Sequence, residues 1–411
     1  MKTVKLFAVS AALVLGALTA GAQDFATGYF LGGYQYAYRM NPAFASEHNF
    51  FSVGLGQLGA NIQSDFGVSD FVKKTDDGYV LFMNDAVTAE DFLSGFNKDE
   101  LNKLSLNTNV NLISKGSWNK EKVSFSTFDV SVKSATDLAL PYDLFRFLKE
   151  GTSTNPNFDF SGTGVQTRNY LELAFGTTRI IKNKFSFGIR LKGLVGLANA
   201  NLNMEELKLN TSGSTWTYTS KGSLSASVPF ASMKTDADGY YDFSSFNLDM
   251  QKIAKNIGFG GAVDAGLSIN LVPWLTISGA ILDFGAVNWM DEIKGTAAAA
   301  GTYTPSDDGD TGQFTQFLNS LEGVYKFKAE ESNAKTGGGG WENLPYRLNA
   351  GVELRLPFYQ RFSLGALYTM YNGDFTFNAN DILLSANWTP LNFLSASVSS
   401  RLGDQFSSFG G

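Results

Sequence analysis

The amino-acid sequence predicts an all-β protein, an antiparallel transmembrane β-barrel, from three observations: an export signal, strands with one apolar face, and connections that alternate short and long. Membrane barrels use strands of about ten residues whose two faces alternate apolar with small or polar side chains. Within residues 185–196, Phe187, Ile189 and Leu191 alternate in this way with Gly188 and Arg190. A soluble β-sandwich alternates similarly, so the export signal and the connections distinguish the two classes.

The start of the chain predicts a cleaved signal peptide over residues 1–22. Lys2 and Lys5 precede an apolar run at 6–20, and Ala20 and Ala22 supply the small residues of a cleavage site just before Gln23. A bilayer-spanning helix needs about 20 apolar residues, and this run is shorter. We therefore expect an exported protein that resides in the bacterial outer membrane, in contact with outer-membrane lipid.

The composition of the chain argues against several classes of function. Lys and Arg total 32 against 39 Asp and Glu, for a net charge of −7, so the basic excess that nucleic-acid binding requires is missing. With no Cys, the chain has no disulfides and no thiolate metal sites. His48 is the only His and has no nucleophile signature beside it, so we expect neither an enzyme nor a cofactor.

The alternating segments predict eleven strands joined by links of very different length. Links of two to five residues alternate with long ones at 68–105, 135–165, 201–257 and 289–343 and a medium one at 373–379, as in barrels with short periplasmic turns and longer outer loops. The predicted strands are 49–67, 106–115, 121–134, 166–181, 184–200, 258–271, 273–288, 344–357, 361–372, 380–389 and 392–402.

The strand count also bears on the domain boundaries. Bacterial single-chain barrels have an even number of strands, so an eleventh strand that ends outward indicates either a miscount, with about 11–12 strands in this chain, or a sequence that lacks its final one to three strands, which is the interpretation we favour. We expect a signal peptide at 1–22, a plug-like N-terminal segment at 23–48 and the barrel at 49–411.

Aromatic residues cluster at the short turns, which predicts a membrane-interface girdle. Rings with a polar edge are favoured at headgroup depth. The predicted girdle comprises Trp118, Phe185, Trp274, Phe358, Tyr359, Trp388 and Phe393.

The long connections are predicted to be partly helical and to include two acidic clusters. Residues 88–104 carry a capping-box pattern before helically spaced apolar residues, and 141–149 begins with Pro and ends before Gly151. Clustered carboxylates suit a hard cation such as calcium, but acidic turns on a solvated loop account for them equally well. The six candidate calcium ligands are Asp236, Asp238, Asp242, Asp307, Asp308 and Asp310.

Two segments carry a resemblance to known families. Asn41-Pro42-Ala43, directly before the first strand, resembles the plug motif of FadL-type transporters of hydrophobic compounds and of related Bacteroidota barrels that serve type IX secretion. The segment 274–285, with Trp289 beyond it, resembles more closely an uncharacterised Bacteroidota outer-membrane family of unknown function. The resemblance implies a barrel of about fourteen strands when complete, with an N-terminal plug, although 23–47 is shorter than a typical FadL-type hatch.

Two functions follow as expectations. The first is a passive channel or binder for small hydrophobic molecules, with Asn41, Pro42 and Ala43 in a displaceable plug. The alternative is a structural barrel that docks a protein partner, in secretion or cell-surface assembly, through its long loops or plug.

Transport of the FadL type would also use a lateral gap in the barrel wall. Glycine weakens a strand, so Gly258, Gly260 and Gly261, or Gly193 and Gly196, are candidates to form the gap. Close strand packing or strand bends account for the same glycines and are the commoner reason for glycine in a strand.

Overall fold

The computed structural model contains one large antiparallel sheet with smaller elements in its connections. It describes residues 26–31, 33–75, 78–152, 155–228, 231–248, 257–290, 293–304, 327–329, 340–372, 380–391, 394–403 and 407–410. The predicted signal peptide lies outside these residues.

Seventeen strands belong to the large sheet, and two further hairpins each form a separate two-stranded sheet. In chain order the strands are β1 (Phe50–Ser64), β2 (Val72–Thr75), β3 (Gly78–Leu81), β4 (Asn102–Trp118), β5 (Ser124–Leu140), β6 (Asn157–Asp159), β7 (Gly164–Ile181), β8 (Phe185–Asn210), β9 (Trp216–Ser227), β10 (Ala231–Thr235), β11 (Tyr241–Leu248), β12 (Gly258–Val272), β13 (Leu275–Trp289), β14 (Ile293–Tyr303), β15 (Lys328–Ala329), β16 (Gly340–Asn343), β17 (Tyr346–Leu356), β18 (Tyr359–Asn372), β19 (Asn380–Leu391), β20 (Leu394–Gly403) and β21 (Ser407–Gly410).

Eleven of these strands pair antiparallel in a single series. The order is β1, β4, β5, β7, β8, β12, β13, β17, β18, β19 and β20, with the short β21 added to β20. Each overlaps one of the eleven predicted strands, so the all-β antiparallel prediction is confirmed at this level. Among the described residues, β1 pairs only with β4 and β21 only with β20.

The helices are short. Two 3-10 helices, Ala26–Phe30 and Ala37–Arg39, precede the sheet, and the connections contain α1 (Val68–Phe71), α2 (Ala89–Leu93) and α3 (Tyr142–Glu150). The helix predicted at 141–149 is confirmed as α3, whereas the helical pattern at 88–104 forms only the short α2, and strand β4 already begins at Asn102. Thr88 caps α2 by accepting a hydrogen bond from the Asp91 amide at 3.1 Å. No helix in the described part of the chain is long and apolar enough to cross a membrane.

The side chains of the large sheet are arranged with polar groups buried and large apolar groups exposed. On β8, Phe187, Ile189 and Leu191 are 43, 43 and 57% exposed, whereas Arg190 and Lys192 are 3 and 6% exposed. The strands β17 to β20 also expose apolar and bury polar side chains. The exposed apolar residues include Val352, Leu364, Ile382, Leu384, Val398 and Leu402. The buried polar residues include Glu353, Ser363, Asp381, Ser385, Ser399 and Arg401. A soluble protein buries its apolar face, so this sheet is inverted.

One bulge changes which residues of β13 face the buried side. Leu282 and Asp283 together oppose Asp264 of β12, and Asp283 has a φ of 61°, in the left-handed region that Asp tolerates better than most residues. The Asp283 amide donates to Asp264 Oδ1 at 2.7 Å, which holds the bulge. Before the bulge the buried positions are even-numbered, as at Ser278; after it they are odd-numbered, as at Trp289.

The long connections are more strand-rich than predicted. β8 runs for 26 residues to Asn210, far beyond the about ten that cross a bilayer, and pairs with β9, which in turn pairs with β14. These strands share a buried apolar core with α3 that contains Phe147, Phe158, Phe160, Met204, Leu207, Leu209, Trp216, Ala297 and Phe327.

A second apolar core lies in the connection between β1 and β4. Phe82 stacks on Phe92 at 4.4 Å and Phe96 on Phe145 at 3.8 Å between ring centroids. Phe66 and Phe71 complete this phenylalanine cluster, which joins the β2–β3 hairpin and α2 to α3. The connections at this end of the sheet are therefore folded structure with cores of their own.

Candidate functional site

Residues 26–31 and 33–48, the N-terminal segment, lie against the buried face of the large sheet. Tyr29, Tyr38 and Asn41 are 3, 1 and 0% exposed. The segment consists of the two 3-10 helices followed by the Asn41-Pro42-Ala43 step and a short lead into β1. That this segment plugs a barrel stays a prediction.

Asn41 ties the segment to two strands at once. Its Nδ2 donates to the Tyr29 hydroxyl at 3.0 Å and to the carbonyls of Leu267 on β12 and Gly279 on β13, each at 3.3 Å. Its Oδ1 accepts from the Ala43 amide at 2.9 Å, which fixes the turn through Pro42. One buried amide thus satisfies four polar groups, and no aliphatic side chain of that size could replace it.

Two glycines of the sheet allow this turn to approach closely. A Cβ on Gly188 of β8 would overlap the Pro42 carbonyl, and a Cβ on Gly266 of β12 would overlap Asn41 Oδ1. The Thr178 hydroxyl of β7 donates to the same Pro42 carbonyl at 2.7 Å. The fit of the segment therefore depends on missing side chains as well as on hydrogen bonds.

The segment contacts strands from both halves of the large sheet. Arg39 donates to Asp129 of β5 at 2.7 Å, and the carbonyl of the next residue, Met40, accepts from Asn349 of β17 at 2.9 Å. The segment also forms a buried apolar cluster with Leu367 of β18 and Leu383 of β19, to which it contributes Tyr29, Phe30 and Met40.

Asp129 is the carboxylate to which the segment is anchored. It is 1% exposed and accepts from the Tyr38 hydroxyl at 2.8 Å, Arg39 Nη2 at 2.7 Å, the Ser114 hydroxyl at 2.6 Å and Arg190 Nη2 at 2.8 Å. Burial, followed by the negative charge of Asp129, raises the pKa of Tyr38 above its ordinary value. The phenol therefore stays protonated at neutral pH and serves as a donor.

From Asp129 a chain of ion pairs runs across the buried face. Arg190 pairs with Asp264 at 3.1 Å, and Lys192 pairs with Asp264 and Asp283 at 2.6 Å each. Lys133 then pairs with Asp283 at 3.0 Å and with Glu172 at 2.7 Å. With Arg39 the chain of ion pairs contains four cations and four carboxylates, so its charges balance, as burial of charge requires.

Further along β7, four hydrogen-bond donors converge on one carboxylate. Glu342 of β16 accepts from Arg168 Nε, from Gln166 Nε2 at 3.0 Å, from Asn199 Nδ2 at 3.0 Å and from Trp289 Nε1 at 2.7 Å. Gln166, Arg168, Asn199 and Trp289 form what we call the carboxylate cradle. The N-terminal segment, the ion pairs and the cradle follow one another along β7, which contributes Thr178 to the first, Glu172 to the second and Arg168 to the third. Thr178 and Arg168 are about 33 Å apart at a rise of about 3.3 Å per residue.

The predicted girdle residues lie in different surroundings. Trp274, Phe358, Tyr359 and Trp388 are 41, 86, 42 and 47% exposed, and the Trp388 ring N–H donates to the Tyr359 hydroxyl at 3.1 Å. Phe185 is half-buried in line with the exposed Phe187. Trp118 instead packs on Phe125 and donates to the Ser46 carbonyl at 2.8 Å, and Phe393 lies outside the described residues.

The candidate calcium ligands in the described part form a turn. Asp236 Oδ1 accepts from the amides of Asp238 and Tyr240 at 3.0 and 2.9 Å, which accounts for an acidic residue at this position. Among the described residues no group of three or more His, Cys, Asp or Glu side chains is placed to hold a metal ion. Asp307, Asp308 and Asp310 lie outside them, Asp242 is at the start of β11, and His48 is exposed.

The glycines considered as gap formers lie mostly in tight packing. A Cβ on Gly196 or Gly258 would press on the Trp289 ring or the opposing glycine, and one on Gly260 would overlap the Ala286 carbonyl. Gly261 would meet only the Lys192 carbonyl at 3.4 Å, and Gly193 has nothing within 4 Å. Close strand approach explains Gly196, Gly258 and Gly260.

Gly188→Ala tests how the N-terminal segment is held. The added Cβ cannot coexist with the Pro42 carbonyl, so we expect the segment to leave its place and expose Arg39, whose side chain is 10% exposed. In detergent-purified protein, trypsin should then cut after Arg39 at least about tenfold faster, because proteolysis requires a locally open chain. Gly193→Ala, on the same strand with open space around it, is the control. Equal cleavage in the two variants would contradict this account of the packing.

The sequence also matches a described protein family. The model of a family of unknown function, DUF5723, matches residues 42–411, which is most of the chain. No curated protein and no solved structure matches the chain. The resemblance to an uncharacterised family is confirmed, whereas a relation to FadL-type or type IX secretion barrels stays a prediction. The chain belongs to the DUF5723 family of unknown function.

Proposed function

We propose that the chain is an outer-membrane β-barrel, closed inside by its own N-terminal segment, that docks a protein partner through its folded connections. The observation that supports the membrane location best is the inverted sheet, with Phe187, Ile189 and Leu191 exposed beside buried Arg190 and Lys192. A lipid environment makes such an exposed apolar face favourable. The predicted signal peptide at 1–22 agrees with this location.

Barrel closure is supported by the reach of the N-terminal segment. Asp129 and Asn349 bind the neighbouring residues Arg39 and Met40, yet their strands, β5 and β17, are five steps apart in the sheet. In a flat sheet five steps would separate the strands by about 24 Å. Joint contacts of two adjacent residues with strands this far apart in the series support a sheet that curves around the segment, as a barrel wall would.

The groups on the buried face of the sheet favour docking of a protein partner over passage of hydrophobic molecules. The ion pairs from Asp129 to Glu172 and the N-terminal segment fill the buried face with mutually paired groups. A greasy passage for hydrophobic molecules would need apolar residues at these positions. The folded connections are therefore the part of the molecule that is available to a partner.

The β2–β3 hairpin provides a specific docking surface. Its Val80 and Phe82 pack into the phenylalanine cluster, while Tyr79, Leu81 and Met83 alternate with them and are 76, 63 and 65% exposed. Val68 of α1, 77% exposed, completes this apolar patch. A rigidly supported apolar patch on an extramembrane connection is typical of a protein-binding surface.

A passive path for small hydrophobic molecules is the second candidate. It is favoured by the apolar cluster of Tyr29, Phe30, Met40, Leu367 and Leu383, which lines the contact between the N-terminal segment and β18–β19. If the segment left, this apolar surface would become accessible to a hydrophobic molecule.

Leu191→Arg tests the membrane location. Leu191 is 57% exposed, and a charge facing lipid costs about 2–4 kcal/mol near the bilayer midplane, so we expect a marked loss of outer-membrane insertion. Insertion is measured as the heat-modifiable fraction in isolated outer membranes. Leu81→Arg, at a similarly exposed leucine in the hairpin, should insert normally. If both variants insert equally well, the exposed face does not contact lipid.

Tyr79→Ser/Leu81→Ser tests the docking surface. Both side chains point outward, so the hairpin should keep its fold while losing most of its apolar patch. We expect at least about a tenfold loss of a cross-linked protein partner recovered from the native outer membrane. Lys74→Ser, opposite Tyr79 on the same hairpin, is the control. A partner that is retained by the double variant would exclude this surface, and the absence of any partner of the wild-type chain would exclude docking.

Deleting residues 23–47 tests the transport alternative. Removal of the segment should open the interior and raise the entry of a hydrophobic dye into intact cells, compared with the wild-type chain. The heat-modifiable band confirms that the deleted protein still folds. Unchanged entry by a folded, inserted variant would count against transport.

A further inference from the structure

The carboxylate cradle has the construction of a ligand site. Its four donors come from three different strands, and Gln166, Arg168, Asn199 and Trp289 are 5, 2, 3 and 2% exposed. Arg168 and Asn199 are direct register partners on β7 and β8, which fixes their spacing. Such a set of buried, preorganised donors is typical of anion recognition.

The group that fills the cradle is held differently from the cradle itself. Glu342 belongs to β16, a strand of four residues that pairs with only the last four residues of β13. Its side chain is 22% exposed, whereas that of Arg168 is 3% exposed. The cradle residues therefore lie on strands of 15 to 26 residues, whereas Glu342 lies on a short strand with one exposed face.

The fit between Glu342 and the cradle is incomplete. An arginine usually grips a carboxylate with two parallel N–H donors, but Arg168 uses Nε alone, and its buried Nη2 has no hydrogen-bond partner among the described residues. The amide oxygens of Gln166 and Asn199, on the two residues whose NH2 groups bind Glu342, are also buried without a partner in the part of the chain that the structure describes. Buried polar atoms without partners are costly, so a purely structural ion pair would be expected to satisfy them.

These unpaired atoms indicate which ligand would fit better than Glu342. A free carboxylate, unconstrained by a strand, can rotate to meet both Nε and Nη2 of Arg168. A hydrogen-bond donor next to that carboxylate would satisfy the two amide oxygens. An α-amino acid carries both groups.

We propose that the carboxylate cradle is a binding site for a small amino acid or a similar carboxylate with an adjacent donor, and that Glu342 occupies it when no ligand is bound. Ligand binding then releases β16 from the cradle. This site is separate from the proposed docking surface and does not depend on it.

The experiment restores the missing carboxylate to a truncated side chain. Glu342→Ala removes the atoms beyond Cβ, which are those of acetate, so folded full-length protein in detergent should bind ¹³C-acetate in an NMR titration. Glycine, which adds an ammonium group, should bind more tightly than acetate, and the neutral acetamide should not bind. The wild-type chain should bind acetate at least about tenfold more weakly, because its own carboxylate competes.

Two variants separate this site from a non-specific cavity. Glu342→Ala/Arg168→Met should lose the binding, because Arg168 supplies the main positive charge. Glu353→Ala removes another buried carboxylate, 8% exposed on β17, and should not gain acetate binding. If Glu342→Ala does not fold, Glu342→Gln takes its place, since a neutral amide competes less well than the native carboxylate.

The proposal is overturned if folded Glu342→Ala and Glu342→Gln bind no acetate, or if binding survives loss of Arg168. It is overturned equally if the wild-type chain binds acetate as tightly as Glu342→Ala. Tighter binding of acetate than of glycine would exclude amino acids as the ligand class.

Discussion

The pairing of buried charge is the constraint on which this structure depends. Asp129 is almost completely buried, and its four hydrogen-bond donors come from two strands of the large sheet and from the N-terminal segment. Removing one partner from a buried ion pair costs about 3–5 kcal/mol, because the remaining charge is left uncompensated. Tyr38 and Arg39 are therefore part of the sheet's electrostatic balance, and the sheet and the segment stabilise each other.

The same physical solution recurs at both ends of β7. At one end Arg39 brings a cation from the N-terminal segment to Asp129, and at the other Glu342 brings an anion from β16 to Arg168. The ion pairs between them lie wholly on strands of the eleven-strand series and need no charge from outside it. Arg39 and Glu342 come from outside that series, and each enters where the series alone leaves a charge unbalanced.

The alternation of side chains was enough to predict the eleven strands and the polar face that carries Arg190 and Lys192. It could not predict the partners of those charges, because a period of two identifies a face but not which distant strand lies opposite. Asp129 and Asp264 are 61 and 74 residues from Arg190 in the chain. The cradle was missed for the same reason, since Glu342 carries no sequence pattern that relates it to Arg168.

The connections were predicted less well because packing decides their structure. The alanines of β14 have low strand propensity, yet β14 pairs with β9 along its whole length, and Ala297 is buried in the shared core. Likewise β8 continues past Gly196 because Met204, Leu207 and Leu209 find an apolar core there. Tertiary contacts, more than local preference, set these boundaries.

The bulge at Asp283 has a consequence for how this chain can vary in length. Since two residues of β13 oppose one of β12 there, deleting one of the two would restore regular pairing while every residue beyond the bulge kept its partner and its face. A single deletion between the bulge and Trp289 would instead turn the residues beyond it to the opposite face, and Trp289 would leave the cradle. A change of one residue in length is therefore absorbed at the bulge and disruptive elsewhere along β13.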